Sequence, residues 1–237
     1  MVCYTMTVRS PLHVVIAIDG PSGAGKSTVA KRLAQRLGYH YVDSGALYRA
    51  VGWVVQTHAI PFQDTAAILA LLERTTITMT FCDGQSAVLV NGQDITSQLR
   101  GEAVGKAASV VATLPAVRQR VTSQLRRLRC QASLVMEGRD IGTVVFPEAP
   151  AKFFLDASLA VRSQRRWQEM HQVGQTATHD EVTQAVAARD AQDRSRPEAP
   201  LVRAAEARVI DTTDLTVDDV VQIMVSEMQL NFLQSDG

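Results

Sequence analysis

The spacing of apolar residues changes period several times along the chain, and each change predicts a different element. Residues 14–18 form an apolar run closed by Asp-Gly-Pro-Ser-Gly, the pattern of a buried parallel strand that ends in a loop. From 27 to 37, Val29, Ala30, Leu33, Ala34 and Leu37 recur at helical spacing, and Gly38 supplies the stop. Residues 39–42 read as a second short strand. It delivers Asp43-Ser44, which suit the cap of a helix running toward Thr57 through Leu47, Val51 and Val54. The period then drops to two, because Thr76, Thr78 and Thr80 alternate with Ile77, Met79 and Phe81 as in a half-buried antiparallel strand. Asp83-Gly84 is a hairpin signal, 87–90 the return strand, and Asn91-Gly92 a second tight turn. These predict a small β insertion over roughly 75–95.

Helical spacing resumes over 97–111 and again over 115–129, where Pro115 suits a first turn. Three further short apolar runs, 133–136, 151–155 and 208–210, each end in polar residues and read as strands. Helices are predicted at about 157–172, 180–196 and 216–232. Five strands alternating with helices specify an α/β fold, a doubly wound five-stranded parallel sheet in one domain spanning 1–237.

Composition narrows the function classes. At 237 residues, 46% apolar and 20% charged, the chain can bury a sizeable core without disulfides or metals. A net charge of zero argues against a protein that coats nucleic acid, and no apolar run of about 18 residues is present to span a bilayer. Of the 24 basic residues, 20 are Arg, the side chain that pairs bidentately with phosphate, although an Arg-rich genome gives the same bias. Cys3, Cys82 and Cys130 are widely spaced and lack a C-x-x-C, and the first 12 residues are unlike a secretory leader, so a reducing cytoplasm is expected. His13, His40, His58, His171 and His179 show no ligand spacing, so no structural metal is expected.

Gly20-Pro-Ser-Gly-Ala-Gly-Lys-Ser27 matches G-x-x-x-x-G-K-[ST] between a predicted strand and a predicted helix. In such a loop Gly20, Pro21, Ser22, Gly23, Ala24, Gly25, Lys26, Ser27 and Thr28 cradle nucleotide phosphates. Lys26 reaches the β and γ phosphates, and the Ser27 hydroxyl ligates Mg2+. ATP or GTP with Mg2+ is implied. The N-K-x-D signature of GTPases is absent and the chain is short for a motor, which leaves a small-molecule kinase.

The blocks Ile18-Asp-Gly-Pro-Ser-Gly-Ala-Gly-Lys26, Asp43-Ser-Gly-Ala-Leu-Tyr-Arg49, Glu137-Gly-Arg-Asp-Ile-Gly-Thr-Val-Val-Phe-Pro147, Phe154-Leu-Asp-Ala157 and Arg189-Asp-Ala-Gln-Asp-Arg194, in this order, resemble bacterial cytidylate kinases. The resemblance runs from Ile16 to about Asp214. It implies a P-loop kinase fold with a monophosphate-binding region at about 72–110 and a helical lid at about 160–180. It also implies transfer of phosphate from ATP to CMP or dCMP. By resemblance, Arg49, Arg139 and Arg196 meet the acceptor phosphate and Ser44 lies near the base. Ser109, Arg118 and Asp140 surround the pyrimidine edge, while Arg189 and Asp193 meet the ribose.

The residues make chemical sense without the family. Asp43-Ser44 and Gly138-Arg139-Asp140 follow predicted strands, where a doubly wound sheet presents its ligands, although the Arg139-Asp140 step is equally a surface ion pair and Arg49 a solvated helix residue. An acceptor carboxylate such as Asp140 prefers the exocyclic amine of cytosine over the carbonyl of uracil. Arg189, Asp193 and Arg196 share one helical face, as do Arg162, Arg165 and Arg166. A plain i,i+4 Arg/Asp pair or a solvated basic face has the same spacing. In the family the second set lies on a lid that closes on the transferring group, so any of the three could neutralise transition-state charge. Arg165 joins Lys26, Arg139 and Arg196 as a catalytic candidate. Asp211 to Asp214 could form an adenine loop or a simple polar turn. The expectation is a cytoplasmic monomer that binds ATP, CMP and dCMP and neither nucleic acid nor membrane. A UMP-preferring or other small-molecule phosphotransferase, or a nucleotide sensor without acceptor, are the alternatives.

Overall fold

The structure, a computed structural model, describes residues 13–82, 85–172 and 174–235. The leader reading of the first 12 residues and the Asp83-Gly84 turn lie outside the described residues. The parallel sheet contains β1 (Val15–Asp19), β2 (His40–Asp43), β6 (Leu134–Gly138), β7 (Ala151–Asp156) and β8 (Arg208–Asp211), in spatial order β2-β6-β1-β7-β8. Every pairing is parallel. The apolar runs are continuous because both faces are covered: Val15 and Ala17 of β1 enter one core, Ile16 and Ile18 the other.

One face carries α1 (Lys26–Leu37) and α8 (Val217–Ser235), whose Val29, Leu33, Val220 and Met224 pack on Ile16 and Ile18. The opposite face carries α2 (Ser44–Thr57), α4 (Glu102–Val111) and α5 (Pro115–Leu128). The insertion adds an antiparallel sheet of β3 (Ile77–Cys82), β4 (Gln85–Val90) and β5 (Gln93–Asp94). Its Ile77, Met79, Val88 and Val90 join the α2 core, so it is fixed to the main sheet by apolar burial.

Two readings change. The helix expected over 97–111 is divided into a 3-10 turn at Thr96–Leu99 and α4, because Gly101 between them takes φ 125°, a conformation that interrupts a helix. An unanticipated helix, α3 (Thr65–Glu73), starts where Asp64 accepts a hydrogen bond from Ala67 N at 2.9 Å and buries Ile68, Leu71 and Leu72. Beyond β7 the chain forms α6 (Leu159–Gln172) and α7 (His179–Ser195). Thr178 and Glu181 make a capping box that sets the start of α7, and Met170, Val182 and Val186 form a small separate core between the two helices.

Register decides what the carboxyl edge presents. Asp19 lies opposite Gly138 and Asp43 opposite Glu137, so the chain leaves β1, β2 and β6 at one level and three loops meet there.

Candidate active site

A cavity of about 690 Å³ runs along this edge, from the loop at 22–28 to the walls formed by α4 and α5. At one end the chain turns from Asp19 through Gly20 to Gly25 into α1. Gly23 takes φ 78°, and a Cβ there would stand 2.8 Å from the Arg162 carbonyl oxygen, so glycine is what lets α6 pack against the loop. The first N–H groups of α1 face the cavity with Ser27 and Thr28 beside them, an arrangement suited to anions. Lys26 is 5% exposed, and its Nζ donates to the Pro21 carbonyl at 2.6 Å.

Burial, then repulsion from Arg139, push Lys26 down from 10.5 to about 7. A polyphosphate beside Nζ favours the charged form and moves the pKa back up. Nucleotide binding is therefore expected to take up close to one proton at pH 8, where the free lysine is mostly neutral, and almost none at pH 6, where it is already charged. Calorimetric titration in two buffers of different ionisation enthalpy measures this, and equal uptake at both pH values would rule the linkage out.

Glu137, one residue before the end of β6, is buried and accepts a hydrogen bond from the Tyr41 hydroxyl at 2.5 Å. Burial, then repulsion from Asp43, push its carboxyl up, while Lys26 and hydrogen bonding from Ser27 and Tyr41 act against them. Asp19 is also buried and accepts from the N–H groups of Ile141 at 2.9 Å and Gly142 at 2.8 Å. Those residues open a π-helical turn, Ile141–Val145, and Arg126 of α5 donates to the carbonyls of Val144 and Val145 at its other end, 2.8 Å each. The turn carrying Arg139 and Asp140 is thus clamped to the strand that starts the phosphate loop. Burial is the main reason that Asp19 is raised to about 6.

Toward the other end, Arg49 pairs with Asp43 at 2.6 Å. Burial alone would push Arg49 down, but Asp43 overrides it and raises its pKa. Arg139 Nε pairs with Asp193 at 2.8 Å, and Arg196 lies 3.7 Å from the same carboxylate with Nη2 donating to Ala199 O at 2.9 Å. Burial pushes Asp193 up, yet Arg139 and Arg196 hold it below the usual carboxylate range. Arg118 and Asp140 form a buried ion pair, and the Arg118 guanidinium stands 5.3 Å over the Tyr48 ring. Ser109 donates to Gly105 O at 3.2 Å, and Gln192 of α7 donates to Ser109 O at 3.3 Å, holding α7 against α4. Ser44 is buried at the start of α2 in the same wall.

The Nε of Arg189, like that of Arg196, is buried with no hydrogen-bond partner among the described residues, and burial, then repulsion from Arg139, lower the Arg189 pKa to about 10. Arg139 and Arg189 repel Lys26, and Arg139 and Arg49 repel Arg189, where the two ends of the cavity meet. A cluster of like charges in a cleft is relieved by an anion.

The three arginines of α6 do not share one face toward the cavity. Arg162 is 5% exposed and paired with Asp190 at 2.5 Å. Arg165 reaches Thr212, donating to its hydroxyl at 3.0 Å and its carbonyl at 2.7 Å, and Arg166 pairs with Glu169 at 3.1 Å. Arg165 and Arg166 line the cavity, whereas Arg162 lies under the loop because it enters from the first turn of α6. Thr212 Oγ1 in turn donates to Ala24 O at 3.2 Å, and Leu215, Thr216, Val217 and Val220 continue the cavity wall beyond it. Glu137, Asp19 and Asp190 had no role in the sequence reading, and Asp43 figured only as a helix cap at a strand end. Each follows or ends an apolar run, or sits in a quoted block, but only burial and partners single it out.

The family model described as cytidylate kinase matches residues 16–230. The cytidylate kinase of Geobacter sp. (strain M21) is 42% identical over 232 residues, covering 98% of this chain and 99% of that protein. That of Geobacillus kaustophilus (strain HTA426) is 44% identical over 210 residues, covering 89% and 94%. Among solved structures, an uncharacterized protein from Eubacterium ventriosum ATCC 27560 superposes with a TM-score of 0.51 at 13% identity, over 92% of this chain and 99% of that one, and shares the fold.

Proposed function

The chain belongs to the cytidylate kinase family, and from that premise we propose that it transfers the γ-phosphoryl group of ATP to CMP and dCMP with the residues of the continuous cavity divided between the two nucleotides. The observation that carries this reading is one cavity with a phosphate loop at one end, the buried Arg118–Asp140 pair at the other and a repelling arginine cluster between. ATP occupies Gly20 to Thr28, its phosphates on the α1 N–H groups and Lys26. Arg49, Arg139 and Arg196 hold the acceptor phosphate, Asp193 and Arg189 the ribose, and Ser44, Ser109, Arg118 and Asp140 the base. The acceptor phosphate is already an anionic nucleophile, so no general base is needed. Positioning and charge neutralisation supply the acceleration, with Arg165 beside the loop adding positive charge at the transferring group.

The Ser27 hydroxyl with the Glu137 carboxylate behind it offers the hard oxygen donors that Mg2+ prefers. Bound there, Mg2+ would neutralise charge on the donor phosphates. We further read the protein as a cytoplasmic monomer acting on small molecules. Among the described residues no helix is long and apolar enough to cross a membrane.

An ADP-release assay over CMP, dCMP, UMP, AMP and shikimate tests the proposal. The expected result is kcat/KM for a cytosine nucleotide about a hundredfold above UMP, because the uracil carbonyl sets an acceptor against the Asp140 carboxylate where cytosine offers an amine donor. Highest activity on any other acceptor would overturn the cytosine assignment. ADP release with water alone as acceptor would make the chain a nucleotide sensor.

A further inference from the structure

Arg162 makes three connections with one guanidinium. Its Nε donates to Ala157 O at 2.9 Å, at the exit of β7, and its Nη1 donates to Ser22 O at 3.1 Å in the phosphate loop. The same Nη1 reaches Asp190 Oδ2 at 2.5 Å on α7. Both side chains of the pair are buried, 6% and 7% exposed. Asp190 follows Arg189 directly and precedes Asp193 by three residues, so it lies on the helix that carries the acceptor-facing Arg189 and Asp193, with Arg196 as the non-helical cap that follows Ser195. Its Oδ1 has no partner among the described residues. All of this carboxylate's pairing therefore goes through Arg162.

A buried ion pair of this kind is a poor source of stability, since desolvating both charges offsets most of their attraction. Its geometry suits another use. The loop carbonyl it touches, Ser22 O, sits within the turn that must close around donor phosphates. Its other end is attached to α7 one residue from Arg189 and three from Asp193. We infer that Arg162 and Asp190 are positioning residues, a buried strut through which occupation of the phosphate loop aligns the acceptor-binding face of α7. The inference rests on the donor and acceptor ends assigned above, and it assigns no contact with either nucleotide to the pair.

Two variants separate this from a structural role. Asp190→Asn keeps the shape but removes the charge, leaving Arg162 buried and uncompensated. Arg162→Met combined with Asp190→Leu replaces the pair with apolar side chains of similar bulk, a change that often restores stability. Amide hydrogen exchange of α7 is measured with and without a non-hydrolysable ATP analogue, and KM and kcat for CMP are measured at saturating ATP. In the wild-type protein the analogue is expected to slow exchange across 186–195 by about tenfold, a typical coupling between sites. In the double variant the melting temperature should be at or above that of Asp190→Asn. The exchange response should nevertheless vanish, and KM for CMP should rise about tenfold with kcat changed less.

A double variant that keeps the wild-type exchange response overturns the strut. So does a wild-type protein whose α7 does not respond to the analogue. Because the exchange readout needs no acceptor, a failure of CMP as substrate is seen separately, in the turnover of the wild-type protein alone.

Discussion

Lys26→Met is expected to lower kcat for phosphoryl transfer by about a thousandfold while leaving the melting temperature of the nucleotide-free protein unchanged or higher, because the same charge serves the reaction and burdens the fold. The ammonium is buried under the loop with one carbonyl partner, and burial together with Arg139 pushes it down to about 7. A group whose folded pKa is lowered costs stability in its charged form, and methionine removes that cost while filling similar volume. In the transition state the balance reverses, since charge spreads over the transferring oxygens and a fixed cation in a dry site is worth several kilocalories. Steady-state kinetics with CMP and thermal unfolding without nucleotide, run on the same preparation, read both halves. A kcat within tenfold of wild type would remove Lys26 from the catalytic set, and a large loss of melting temperature would show that its role is structural.

Asp140→Asn should reduce kcat/KM for CMP by about a hundredfold and reverse much of the preference over UMP. Asp140 can only accept hydrogen bonds when ionised, which matches the amine of cytosine, whereas an asparagine amide offers a donor to the carbonyl of uracil. Its geometry is held by Arg118, which also donates to Ala112 O at 3.2 Å and lies over Tyr48. The isosteric amide is preferable to alanine, because removing the partner outright leaves Arg118 buried and uncompensated at a cost of about 3–5 kcal/mol. The amide weakens that ion pair as well, so the ratio of UMP to CMP turnover is the diagnostic quantity and not the CMP rate alone. A variant that loses CMP activity with no change in the ratio would mean that Asp140 supports Arg118 and does not read the base.

The central strands β1 and β6 were legible because each is a short run buried on both faces, and such runs need no knowledge of their neighbours, whereas the edge strands β2 and β8 are only partly covered and were marked by the polar residues that end them. The phosphate loop was legible because backbone geometry there demands glycines at fixed spacing. α3 was not. Thr65–Glu73 is apolar on most of its surface, and without a polar face its period carries no clear signal; Asp64 as a cap was the cue available. The break at Gly101 was hidden for a related reason, since the apolar spacing continues across it while the backbone does not.

Within the site, spacing says which residues can share a helix face but not which way the face points, nor that α7 stops at Ser195 and leaves Arg196 off the helix. Arg162, Arg165 and Arg166 have the spacing of a basic face, yet Arg162 is drawn under the loop by Asp190 and two carbonyls, and only Arg165 and Arg166 line the cavity. Helical periodicity fixes relative angles about one axis. The absolute rotation depends on what packs against the helix, which lies elsewhere in the chain.

The sequence by itself determined a doubly wound parallel sheet, a nucleotide phosphate loop with Lys26 and Ser27, and the family blocks that make the acceptor a nucleotide. The sheet and the loop follow from local backbone preference and from patterns that repeat over a few residues, whereas the acceptor follows only from the resemblance those blocks carry. The tertiary structure alone decided which charges are buried and with whom: Asp19 under the Ile141–Val145 turn, Glu137 on Tyr41, Arg118 on Asp140, and Arg162 on Asp190. Each of these pairs joins residues 22 or more positions apart. Burial and partner identity are properties of how elements pack, and no local pattern encodes them.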